Sequence, residues 1–138
     1  MTLNLEIITP LKSILKEEVD EIILPTESGE ITVLPNHVDL VTKIKAGEMT
    51  IKRGGKPTFF AITGGFLEIT DNNVTILADY AVRAEDIEIA KAKEAQERAK
   101  DMLRQKVSGR EFAQAESDLR KSLTELHVAR RRRPSTPS

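Results

Sequence analysis

Polar and apolar residues alternate through roughly the first eighty positions; near Tyr80 the repeat lengthens to every third or fourth residue and stays there. Leu3-Asn4-Leu5-Glu6-Ile7 and Val74-Thr75-Ile76-Leu77 carry the two-residue period of strands with one buried face. On this pattern strands are expected near Leu3–Ile8, Ser13–Leu15, Val19–Leu24, Ile31–Leu34, Asp39–Ile44, Glu48–Lys52, Thr58–Thr63, Phe66–Thr70 and Val74–Ala78. Arg53-Gly54-Gly55-Lys56 and Asp71-Asn72-Asn73 read as hairpin loops, because Gly and Asn reach positive φ at little cost. Gly47 and Ser28-Gly29 punctuate other runs in the same way. Many short strands with no helix between them cannot build a parallel sheet, so an antiparallel sandwich or flattened barrel is expected.

From about Glu85 onward there is no proline before Pro134 and one glycine, Gly109. Ile89, Ala92, Ala95, Ala99, Met102 and Leu103 share one helical stripe, and Phe112, Ala115, Leu119, Leu123 and Leu126 share another. Val107-Ser108-Gly109 interrupts them, and Ser108-Gly109-Arg110-Glu111 reads as a capping box that restarts the helix. The expected result is an antiparallel αα-hairpin with helices of about 20 residues, each about 30 Å long. The fold class is α+β: a β-sandwich docking domain over 1–82, a helical arm over 83–133 and a disordered tail over 134–138. The first helix offers mostly alanine to the seam, and an alanine contributes far less than a leucine at about 0.8 kcal/mol per buried CH₂. A seam of a few kcal/mol fits either a static hairpin or an arm with two positions that a partner of modest preference would shift.

Charge divides at the same place. Residues 1–80 hold 7 Lys/Arg against 12 Asp/Glu, and residues 81–138 hold 14 against 10, so an acidic body carries a basic arm. Partners of opposite character at the two ends are implied. The arm has a single aromatic, Phe112, where a nucleic-acid surface would interleave aromatics with its basic residues. Aromatics are 4% of the chain, so the core has to be aliphatic. The absence of cysteine excludes a disulfide framework, a thiolate nucleophile and Cys-ligated zinc. No apolar run approaches the roughly 20 residues that span a bilayer, and Met1 leads straight into an alternating strand instead of a signal segment.

No catalytic constellation is visible. His37 and His127 fall in different modules, with no carboxylate or second histidine at metal-ligand spacing. Gly54-Gly55-Lys56 lacks the leading glycine and trailing Ser/Thr of a phosphate loop and sits in a hairpin. Glu17, Glu18, Asp20 and Glu21 read as a solvated sheet edge. Two β segments ask for more. Leu34-Pro35-Asn36-His37-Val38-Asp39-Leu40-Val41-Thr42 exposes polar groups on a rigid turn, and the paired glycines of Ile62-Thr63-Gly64-Gly65-Phe66-Leu67-Glu68-Ile69 imply a bulge or the close approach of another backbone. A cupin-like small-ligand protein and a basic-tailed nucleic-acid adaptor using Arg130 to Arg133 are the alternatives in other classes.

Those segments, Pro35 to Thr42 and Gly64 to Ile69, followed by Val74 to Asp79, resemble in order and type the epsilon subunit of bacterial F-type ATP synthases, the homologue of mitochondrial delta. Phe112 to Val128 is similar to the family's second helix, and the likeness covers nearly the whole chain. The resemblance implies a non-catalytic rotor subunit of the central stalk in a proton-translocating enzyme, bound peripherally at the cytoplasmic face of the bacterial plasma membrane through the complex. Its sandwich would hold the gamma subunit and the c subunits of the membrane rotor ring; its arm, when extended, would inhibit ATP hydrolysis at the alpha/beta head. Glu30, Asn36 and His37 match positions of the ring contact, with Asn36 and Val38 replacing the more usual Gly and Ala. Arg120, Lys121, Arg130, Arg131, Arg132 and Arg133 are candidates for meeting acidic segments of the head. The ATP-binding motif of some relatives reads here Ile87-Glu88-Ile89-Ala90-Lys91-Ala92, with Arg98 at a further basic position and Lys121 and Glu125 where arginines stand. A flexible ammonium does not replace a guanidinium fork on phosphate, and Glu125 repels it, so weak or absent ATP binding is expected and no cofactor is required.

Overall fold

The computed structural model describes residues 1–105 and 108–132. Ten strands come first: β1 (Leu3–Ile8), β2 (Ser13–Val19), β3 (Glu21–Thr26), β4 (Gly29–Val33), β5 (Leu40–Ile44), β6 (Gly47–Arg53), β7 (Lys56–Ile62), β8 (Gly65–Thr70), β9 (Asn73–Ala78) and β10 (Ala81–Arg83). A 3₁₀ turn (Ala84–Asp86) leads to helices α1 (Ile89–Arg104) and α2 (Arg110–Arg132). The sheet runs β10-β7-β6-β3-β5-β8-β9-β1-β2, with β4 paired to β3 beside this path. It folds over a core of aliphatic side chains, among them Leu3, Leu5, Ile7, Ile22, Leu24, Met49, Ile51, Ile62, Leu67 and Ile76, with Phe60 the largest. This is the expected sandwich followed by two helices.

Three local differences from the sequence reading have physical causes. β2 continues through Lys16, Glu17 and Glu18 where a break was expected, because it is an edge strand paired only with β1 and charges are at home there. Glu17 meets Arg53 at 3.1 Å, Asp20 accepts the Gly54 N–H at 2.6 Å and Glu21 meets Lys52 at 3.1 Å, which ties the acidic run to the β6–β7 hairpin. One pair, β1 with β9, is parallel; the sixty-odd residues between them supply the long crossover that such a pair needs. Finally, β10 and the 3₁₀ turn occupy 81–86, so helix begins at Ile89 and not near Glu85.

The paired glycines behave as the sequence suggests. Gly64 and Gly65 have φ of 131° and 137°, and a Cβ on Gly65 would overlap the Leu77 carbonyl of the adjoining strand. In Phe59-Phe60-Ala61-Ile62 the unbroken apolar run marks a strand covered on both faces. Phe60 and Ile62 enter the sandwich core, while Ala61, with Phe59 and Val82, lies under the end of α2.

The helices form the expected antiparallel hairpin, with a seam that differs in detail. Ala92, Ala99, Ala115 and Leu126 are buried, whereas Phe112 (41% exposed) and Leu123 (45%) face outward and Ser122 (1%) takes an inner place. Ser122 tolerates burial because its hydroxyl donates to the Leu119 carbonyl at 2.9 Å. The start of α2 is shifted from the expected capping box: Gly109, at φ 63°, precedes the first helical residue and its carbonyl accepts from Ala113. The break at Val107, Arg133 and the tail 134–138 lie outside the described residues.

Candidate functional site

Three regions carry the chemistry that the sequence singled out. At one end of the sandwich, Leu34 to His37 form a β-turn closed by the His37 N–H donating to the Leu34 carbonyl at 3.2 Å. Pro35 supplies the fixed φ of the second position, and Asn36, at φ 63°, takes the left-handed third position that usually calls for glycine. The neighbouring loop holds it: the Asn36 N–H donates to the Asn72 side-chain oxygen at 2.7 Å, and the Asp71 N–H to Asp39 at 3.2 Å. Asn therefore substitutes for glycine without losing the turn. His37 Nδ1 lies 2.8 Å from the Val38 carbonyl. Glu30 is not part of this cluster. It sits beside the Thr26–Gly29 turn at the other end of β4, separated from Leu34 by about 13 Å of strand. Glu30, Thr32 and Leu34 alternate outward along β4, so Glu30 and His37 mark two ends of one exposed strip.

Beside that strip the outer face of β5-β8-β9 exposes three large apolar side chains next to Lys43 and Glu68. Val41 is 69% exposed, Phe66 49% and Leu77 48%, and Phe66 pairs directly with Leu77 across the ladder. Alternation alone does not single out this surface. The available signal was the doublets Leu40-Val41, Phe66-Leu67 and Ile76-Leu77, where two apolar neighbours must point to opposite faces.

The second region is a groove of about 880 Å³ between α1 and α2. It brings together Glu88, Lys91 and Arg98 from the first helical segment with Lys121 and Glu125 from the second, and Tyr80 closes one end. Its charges are mixed: Lys91 pairs with Glu88 at 3.0 Å, and Asp86, Glu111 and Asp118 add further carboxylates around the cations. Tyr80 is half-buried. Its hydroxyl donates to Glu125 at 3.1 Å, and the Lys121 ammonium lies 4.0 Å from the ring centroid. Burial, then the Glu125 charge and hydrogen bond, push the phenol up to about 12.

The third region joins the arm to the body. Val128 and Ala129 are fully buried against Ala61, Ala84 and Ile87. One turn on, the Arg132 guanidinium forks onto both oxygens of Glu48, with Nε 2.7 Å from Oε2, and stacks 3.9 Å from the Phe59 centroid. The Glu48 bond raises the Arg132 pKa further above its ordinary value, so its charge is permanent. Glu48 and Phe59 were not singled out in the sequence; strand spacing alone cannot say that Arg132, 84 positions after Glu48, lands on them. Arg120 lies away from Arg132 along α2, beside Lys43, Lys45 and Asp79, and Arg130 and Arg131 are exposed. Among the described residues no group of three or more His, Asp or Glu side chains could hold a metal. No helix among them is long and apolar enough to cross a membrane.

Comparison with known proteins agrees along most of the chain. The family model of the ATP synthase delta/epsilon chain β-sandwich domain matches residues 2–84, and that of the same chain's long α-helix domain matches 85–130. The chain is 42% identical over 132 residues to the ATP synthase epsilon chain of Dehalococcoides mccartyi, covering 95% of this chain and 94% of the relative. It is 38% identical to that of Desulforamulus reducens, covering 93% and 97%. Among solved structures, a chain of the Euglena gracilis mitochondrial ATP synthase, in its OSCP/F1/c-ring portion, superposes with a TM-score of 0.74 at 29% identity, covering 93% of this chain and 81% of that one. With the sandwich and the helical hairpin each covered by a matching family model, the chain belongs to the ATP synthase delta/epsilon family.

Proposed function

We propose that this chain is a central-stalk rotor subunit whose sandwich clamps the gamma subunit and rests on the c ring, and whose helical arm restrains ATP hydrolysis when it leaves the body. The observation that carries the reading is the division of the sandwich surface. The outer face of β10-β7-β6 is covered by the chain's own α2, while that of β5-β8-β9 stands bare with Val41, Phe66 and Leu77. Exposed large apolar side chains grouped on one face of a small body mark a docking surface, and gamma is its proposed occupant. The polar strip from Glu30 through Asn36 and His37 is the proposed ring contact. The relatives' names support the complex, and the Euglena neighbour comes from an F1/c-ring particle. Residues 1–82 are the docking domain and 83–133 the arm, and the subunit sits peripherally at the cytoplasmic face of the plasma membrane through its partners.

Phe66→Glu tests the docking face. At 49% exposure the substitution leaves folding within about 0.5 kcal/mol of the parent, and co-purification with gamma should be lost; full retention would refute this face as the clamp. Truncation after Asp86 tests the arm: assembly should persist and hydrolysis should rise, whereas unchanged hydrolysis would remove the inhibitory role. ATP is proposed as a weak ligand at most, because carboxylates line the groove beside Lys91 and Arg98.

A further inference from the structure

We propose that Glu48 and Phe59 form a capture site on the body for Arg132, so that the last turn of α2 can engage an acidic partner only after this clamp has let go. The proposal rests on the reading of the arm as a movable inhibitor and adds what sets its resting position.

Three features single out Arg132 from its neighbours. It is bound by both oxygens of one carboxylate and by an aromatic face at once, the geometry for which a guanidinium is suited and an ammonium is not. The pair is partly withdrawn from water: the Glu48 side chain is 10% exposed and that of Arg132 26%, whereas Lys43–Glu27 and Lys91–Glu88 have both partners more than half exposed. Glu48 also lies on the face that α2 covers, opposite Ala61 in the β6–β7 ladder, so its carboxylate is shielded from water only while the arm is down. Without Arg132 a docked arm would leave a nearly buried, unpaired charge.

The apolar part of the same interface is small. Val128 and Ala129 meet Ala61, Ala84 and Ile87, with the half-buried Phe59, Val82 and Ile89 packed around them, a patch of only a few side chains. The charged clamp therefore adds to this patch, and to the Tyr80–Glu125 bond further along the arm, in setting the docking equilibrium. Its consequence is a division within the arginine run. Arg130 and Arg131 are exposed while the arm is down, but Arg132 is spent on the body. A partner's carboxylates have to outcompete Glu48 for it.

Amide hydrogen exchange of the full-length chain at neutral pH tests the clamp without the rest of the enzyme. Glu48→Gln and Arg132→Ala should each speed exchange at Val128 and Ala129 by about 10-fold or more, the double variant should add little beyond either single one, and Arg132→Lys should recover only part of the protection. Unchanged exchange in both single variants, or full rescue by lysine, would overturn the proposal. In the assembled enzyme Glu48→Gln should deepen inhibition of hydrolysis, because the arm is freed with Arg132 intact. Faster exchange with unaltered hydrolysis would keep the clamp and refute the inhibitory reading instead.

Discussion

The only tyrosine in the chain sits where the arm meets the body, and there is no tryptophan, so one absorbance band reports the docked state. Below pH 10.0 the phenol is neutral whether the chain is folded or unfolded, and Tyr80 adds no pH dependence. Between 10.0 and about 12 the unfolded chain ionises while the docked ring stays protonated, so stability falls as pH rises through this window. The full difference corresponds to at most about 2.7 kcal/mol. Because the ring is only half-buried, solvent screening brings the effective figure to about 1 kcal/mol. Absorbance at the phenolate band during alkaline titration should give a midpoint near 12 for the parent chain. Burial is the leading cause, so Glu125→Gln should lower the midpoint only part of the way to 10.0. Truncation after Asp86 strips the ring of Lys121 and Glu125 and should bring it back to about 10. A parent midpoint close to 10 would refute the docked geometry, and a complete return on Glu125→Gln would refute burial as the main cause.

Gly65→Ala should destabilise the sandwich by about 3 kcal/mol in urea unfolding, since a Cβ at this positive φ collides with the Leu77 backbone; a loss under 1 kcal/mol would contradict the close approach. Asn36→Gly should leave stability within about 0.5 kcal/mol, while Asn36→Val should cost about 2 kcal/mol, because a β-branched residue resists the left-handed conformation. Calorimetric titration with ATP should show no micromolar binding; a micromolar site lost on Lys91→Ala would show that the groove grips phosphate despite its carboxylates.

The change of hydrophobic period near Tyr80 was enough to separate sandwich from hairpin, because strand and helix each impose a repeat that the sequence must obey to bury one face. Turn residues were equally legible: Asn72 and the glycines at 54, 55, 64 and 65 all take the positive φ that these residue types reach at little cost. Groups close in sequence could be read too, and Glu88, Lys91 and Arg98 do line one groove. What the tertiary structure alone decided is which faces meet. Phe112 and Leu123 fit the helical stripe as well as Ala115 does, yet they face outward, because the seam is filled by whatever the opposite helix and the sheet present. Glu48, Phe59 and Arg132 show the same limit. Periodicity is a local constraint that repeats along one element, whereas a clamp between β6, β7 and α2 depends on how the chain closes on itself, and no spacing within a single element carries that information.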